Sequence, residues 1–136
     1  MFYKQIKSGK TFMSESNILV KITISDPELN ESQLQQATQY LQAEIKEVYG
    51  VLEVNQTPVS EVEAGAKSIG GFLINVLTAE VSLQNLKTLV KHLGYRTFGR
   101  TYEIEVEGNG RKLKAKFRRP EDLETILPKL DKFLKG

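Results

Sequence analysis

The sequence predicts a single α+β domain: a mixed sheet of about four strands, with helices mainly on one face. The expected order is β-α-β, a helical pair, a β-hairpin and a C-terminal helix. Three observations predict it. Apolar residues alternate with period two at 18–25 and 102–117. They recur at helical spacing at 31–49, 83–93 and 123–134. Turn formers (Asp26-Pro27, Gly50 and Asn109-Gly110) separate these stretches.

Residues 1–17 fit no clear period and are read as a loose arm or a short extra strand, with residues 18–136 forming one domain. Met13, just before the patterned sequence, is a second candidate start. In "ILVKITIS", Val20, Ile22 and Ile24 share one face and Leu19, Lys21 and Thr23 the other. Asn30 can cap a helix, with Gln33 at the capping-box position. Leu34, Ala37, Leu41, Ile45 and Val48 form its apolar stripe, and Gly50 stops it. "VLEV" at 51–54 then completes β-α-β, which favours two parallel strands with a right-handed crossover. The "GAKS" of Gly65–Ser68 lacks the earlier glycine of a phosphate-binding loop.

Helical spacing also covers Ile69, Phe72, Leu73, Val76 and Leu77, and then Leu83, Leu86, Leu89, Val90 and Leu93, with Ser82 as a cap between the two stretches. Residues 66–93 are thus read as two helices or one bent helix. Gly70 and Gly71 fall inside the first and Gly94 closes the second. Ile74 lies off the apolar stripe of the first helix. Gly70, Gly71, Phe72 and Ile74 are therefore the candidate partner-binding residues, on a helix that is either central to the fold or part of an interface. Pro120 suits a first helical position, and Pro128 is expected to kink or interrupt the last helix.

The stretch "YEIEVEGNGRKLKAKFRR" carries many positive charges, but its own register answers them. With Asn109-Gly110 as the turn, facing residues sum to 219. Val106 then meets Leu113, Ile104 meets Ala115 and Tyr102 meets Phe117. On the other face, Glu107, Glu105 and Glu103 meet Lys112, Lys114 and Lys116. The lysines are read as setting register and solubility. Arg111, Arg118 and Arg119 stay unpaired, and with Arg96 and Arg100 they make a candidate basic patch.

Composition excludes several chemistries. The chain has no cysteine, so disulfides, thiolate metal sites and cysteine nucleophiles are ruled out. His92 is the one histidine, so no histidine pair exists for a metal, and spacing gives it neither a nucleophile nor an orienting acid. No catalytic, cofactor-binding or metal-binding residue is assigned, and no cofactor is expected. The net charge of +2 makes a nucleic-acid partner unlikely. No apolar run approaches the roughly 20 residues of a membrane helix, so a cytoplasmic location is expected.

The run from Ala64 to Leu130, "AGAKSIGGFLINVLTAEV…PEDLETILPKL", resembles the family called effector-associated constant component one. The likeness covers roughly residues 18–134 and lies in the order: a glycine-containing helix, a break, a leucine-rich helix, a hairpin and a D-x-E-like start to the last helix. Asp122 and Glu124 stand at that start. The resemblance implies a non-enzymatic adaptor or regulatory component of a bacterial conflict or signalling system. Its partner would be an effector, an ATPase or a second copy. A nucleic-acid-binding module using the arginine patch is the alternative.

Overall fold

The structure, a computed structural model, describes residues 17–59, 68–97, 99–108 and 110–135. The arm at 1–16 and the "GAK" of 65–67 lie outside the described residues. The strands are β1 (Asn17–Ser25), β2 (Val51–Pro58), β3 (Ser68–Ile69), β4 (Phe72–Ser82), β5 (Thr101–Gly108) and β6 (Arg111–Phe117). The helices are α1 (Glu31–Lys46), α2 (Leu86–Gly94) and α3 (Leu123–Lys135). Short 3-10 turns at Leu83–Asn85 and Pro120–Asp122 lead into α2 and α3.

The fold is α+β, with one open sheet in the order β2-β4-β1-β5-β6 and with β3 paired to β4. Every pairing is antiparallel, so the sheet is not mixed, and it has five long strands rather than about four. β1 and β2 do run in the same direction. They are not neighbours, because β4 lies between them and pairs with both.

The stretch read as the first helix of the pair is the β3–β4 hairpin. Its glycines are the turn: Gly70 and Gly71 have φ of 62° and 86°, the two successive positive values a tight hairpin needs. β4 pairs on both sides and is buried at Leu73, Ile74, Val76, Leu77, Ala79 and Val81. Adjacent residues are buried at Leu73 and Ile74 and at Val76 and Leu77, so both faces of the strand's first half are covered and its near-continuous apolar run also satisfies a helical template. The β-branched residues at 74, 76, 78 and 81 fit the strand.

Elsewhere local chemistry decides structure as expected. The Asn30 side chain accepts from the Gln33 amide at 2.8 Å, and Gln33 Oε1 accepts from the Asn30 amide at 3.0 Å. Ser82 makes no side-chain cap, so α2 starts only at Leu86. Pro128 does not interrupt α3, which is continuous through it. Asp122 accepts the Arg118 and Arg119 amides, and these bonds hold its carboxyl below the usual range.

All three helices contribute to one core with the same sheet face. Leu41 and Ile45 of α1, Leu89 and Leu93 of α2, and Ile126 and Leu130 of α3 join Ile18, Val20, Ile22 and Ile24 of β1. Gly94 allows α2 to touch α3, since a Cβ there would lie 2.6 Å from Leu123.

The opposite face carries the charges. The β5–β6 register is the one that sums to 219, and Lys114–Glu105 and Lys116–Glu103 approach to 3.4 and 3.9 Å. Glu105 also faces Lys21 of β1. Glu105→Lys would align three ammonium groups across the sheet, and is expected to lower the unfolding free energy by up to about 1 kcal/mol in urea titrations. Adding Lys114→Glu is expected to recover only part of that loss, because Lys21 still faces position 105. No recovery would contradict the register, and complete recovery would remove Lys21 from the ladder.

Ile74 is 1% exposed. Ile74→Asp is therefore expected to unfold the domain, costing more than about 3 kcal/mol by burying an unpaired charge. A cooperative thermal transition retained near the wild-type temperature in circular dichroism would contradict this.

Candidate functional site

The residues singled out in sequence fall into different places. Gly70 and Gly71 form a hairpin turn, and Phe72 beside them is 42% exposed. Ile74 is buried and presents nothing to a partner. The expected partner-binding helix does not exist, because this segment is a central strand.

The five arginines do not form one patch. Arg96 Nη2 lies 3.1 Å from Glu44, and Arg100 Nε lies 3.2 Å from Asp26. Arg111 donates to the Phe133 carbonyl at 2.8 Å, closing the last turn of α3. Arg118 and Arg119 sit beyond the other end of β6, roughly 20 Å from Arg111 at strand rise. Their side chains are exposed and have no ion pair among the described residues.

The densest cluster of polar and aromatic groups lies between α1 and α2. Glu44, on the outer side of α1, is its pivot. One carboxylate oxygen faces His92 Nε2 of α2 at 3.4 Å, and the other faces Arg96. Cavities open on either side of this bridge. The larger, of about 560 Å³, is lined by Glu47, Val48, Tyr49, Thr88 and His92. The smaller, of about 240 Å³, is lined by Ala37, Tyr40, Leu41, Arg96, Arg100 and Tyr102.

Exposed aromatic rings line both cavities: Tyr40, 69% exposed, the smaller, and Tyr49, 81% exposed, the larger. Tyr95, next to Arg96 in sequence, is 58% exposed. The sequence reading passed over all three. Tyr40 lies outside the apolar stripe of α1, and Tyr49 and Tyr95 each follow the end of a helix. Aromatics at such positions are the signal that could have found this face. Glu44 left no such signal, because its partners lie on α2 and the segment after it.

Tyr102 closes the floor of the smaller cavity. Its hydroxyl donates to the Arg96 carbonyl at 3.1 Å, tying β5 to the segment that carries both arginines. Burial pushes its pKa up, against the opposing charge and hydrogen bond of Arg100. The folded state thus holds the phenol proton more tightly than the unfolded chain does. The associated stability is present in full below about pH 10 and is lost as pH rises further. Tyr102→Phe is expected to cost about 1 kcal/mol at neutral pH and to flatten the alkaline fall in stability. Parallel losses in variant and wild type above pH 10, measured by urea titration, would exclude this role.

Two other surfaces carry hollows. The outer sheet face holds one of about 420 Å³ among Lys21, Glu103, Glu105, Lys114, Lys116 and Lys129, where lysines outnumber glutamates. A hollow of about 600 Å³ near β2 is lined by Leu19, Glu53, Pro58, Phe72 and Glu80. Among the described residues, no group of three or more His, Asp or Glu is placed to hold a metal, and no helix is long and apolar enough to cross a membrane. Scans against protein-family models, curated proteins and solved structures found no match to this chain.

Proposed function

We propose that this chain is a non-enzymatic adaptor or regulatory component of a bacterial effector-associated conflict or signalling system, acting in the cytoplasm by binding another protein. The partner is an effector, an ATPase or a second copy of the chain. The observation that carries the binding role is the pair of exposed tyrosines, Tyr40 and Tyr49, on the two cavities that flank the Glu44–His92–Arg96 bridge. Tyrosine and arginine are the residues on which interface energy concentrates, since they bring a large contact area together with hydrogen-bonding capacity. The system and the class of partner come from the family resemblance over roughly residues 18–134, whose expected glycine-containing helix is here the β3–β4 hairpin.

One further observation favours this class over the nucleic-acid alternative. The five arginines are dispersed: Arg96 and Arg100 pair with Glu44 and Asp26, Arg111 binds the end of α3, and Arg118 and Arg119 sit beyond the other end of β6, so they make no continuous track for a phosphate backbone.

The test is co-expression with the products of neighbouring genes. One of them is expected to co-elute with this chain in size-exclusion chromatography. Combining Tyr40→Ala with Tyr49→Ala is expected to weaken that association at least tenfold while leaving the circular dichroism spectrum intact. Elution of the chain alone in every pairing would defeat the proposal. Saturable binding to an oligonucleotide at submicromolar protein and about 0.15 M salt would instead favour the nucleic-acid alternative.

A further inference from the structure

The smaller cavity beside Glu44 has a chemistry of its own. Its charged wall is two guanidinium groups, Arg96 and Arg100, with the Glu44 carboxylate between α1 and Arg96, and Tyr40 and Tyr102 supply the rings. Arg96 is held by Nη2 to Glu44, and Arg100 by Nε to Asp26 and by a hydrogen bond to the Tyr102 hydroxyl. A guanidinium carries five N–H donors in a rigid fork, so these contacts orient each group without exhausting it. On Arg96, Nε and Nη1 have no partner among the described residues.

We propose that this cavity binds one acidic side chain of a protein partner, an aspartate or glutamate, held by Arg96 and Arg100 against the Tyr40 ring. The proposal rests on reading the α1–α2 face as a protein-binding surface. It adds the chemistry of the group that docks there.

Three features select this occupant. The fork of an arginine matches the two oxygens of a carboxylate, and two forks on one cavity wall can converge on a single anion. At about 240 Å³ the cavity is smaller than the roughly 300 Å³ at which pockets for whole small molecules begin. It suits a side chain better than a nucleotide. Finally, Glu44 and Asp26 balance the arginines. A site so balanced attracts one negative group through directed hydrogen bonds but offers no field for a polyanion. A nucleic-acid backbone needs a track of cations, and Arg111, the remaining engaged arginine, lies across the domain at the end of α3.

The ring of Tyr40 gives the cavity its second specificity. It is mostly exposed, and it lines the cavity with Ala37 and Leu41. An acidic residue flanked by an apolar or aromatic neighbour could therefore place its carboxylate on the arginines and its neighbour on this ring. Glu44 and Asp26 act here as positioning residues. They hold the two guanidinium groups in place before the partner arrives, which lowers the ordering cost of binding.

The experiment follows the arginine Nε–Hε signals of the full chain by nitrogen-15 NMR. The probes are a short acetylated and amidated peptide with one central aspartate beside a tyrosine, its asparagine twin, and oligothymidine. The aspartate peptide is expected to shift the Arg96 and Arg100 signals saturably, and the asparagine twin is expected to leave them unmoved. Arg96→Gln is expected to weaken the aspartate effect on Arg100 at least tenfold. Because Arg96 is half exposed, this variant should keep the fold even if Arg100→Gln does not. Absence of saturable shifts up to about 10 mM peptide would overturn the proposal, as would equal shifts from the asparagine twin. Tighter binding of oligothymidine at the same signals would assign the site to phosphate and overturn it as well. A neighbouring gene product that co-purifies with Arg96→Gln at wild-type yield would also overturn it, while leaving the adaptor reading intact.

Discussion

One row of side chains across the sheet organises the rest of the structure. Val54, Ala79, Val20, Val106 and Leu113 stand side by side on β2, β4, β1, β5 and β6, each paired with the next. All face the helices, and the first four are fully or almost fully buried. Because strand side chains alternate, a slip of one residue at any pairing would send a whole strand's apolar set to the charged face. The row therefore fixes five strands at once. The flanking rows obey it: Leu77, Ile22, Ile104 and Ala115 on one side, and Val81 with Ile18 on the other. Gly108 belongs to the same constraint. A Cβ there would come within 3.2 Å of Ile18, so the strand end next to Ile18 stays bare.

The elements legible in the sequence are those whose signal is local. The β5–β6 register follows from pairing every apolar residue and every glutamate across one turn. The start of α1 follows from Asn30 and Gln33, and the buried face of α2 from leucines at helical spacing. The β3–β4 segment was not legible, because the environment that makes it a strand is supplied from elsewhere. The first half of β4 is buried on both faces, at Leu73 and Ile74 and again at Val76 and Leu77, so the alternation that β1 and β5 keep is lost there. Gly70-Gly71 carried the correct turn signal, but the helical periodicity around it competed. The same insertion explains the sheet topology. Nothing in the sequence between β1 and β2 announces that a later strand will enter between them, so β-α-β read as a parallel pair.

The α1–α2 face depends on that insertion. α1 crosses from the end of β1 to β2 and packs on β4, the strand that separates them. α2 follows β4 directly and packs toward α3 through Gly94. The two helices are thus held by different partners, and the space between them is spanned by side chains rather than filled by them. Glu44 does the spanning. Its pairs with His92 and Arg96 are partly exposed, so they contribute little to stability. Their effect is geometric, because they fix the rims of two cavities. Sequence reading found Arg96 and Arg100 as charges but placed them in a patch with Arg111. In the fold these two turn inward toward carboxylates, and Arg111 goes to a helix end. Charge counting could not anticipate that division, because it depends on which carboxylate each arginine reaches.

The edges of the sheet narrow where recognition can occur. An exposed edge strand invites another strand unless something blunts it. At the β2 edge, Gln42 of α1 donates to the Val54 carbonyl at 3.0 Å and occupies a group that an added strand would need. Register shifts near both ends of β2, together with Pro58, shorten the regular part further. At the other edge, β6 carries Lys112, Lys114 and Lys116, which resist self-pairing by repulsion. The outer sheet face is a ladder of charges with lysines in excess, and desolvating it would cost more than it returns. What remains is a side-chain surface, aromatic and mixed in charge, built on two helices anchored in the common core. A partner that binds there docks on rigid elements and leaves the sheet register untouched, so recognition and folding stability can vary independently in this chain.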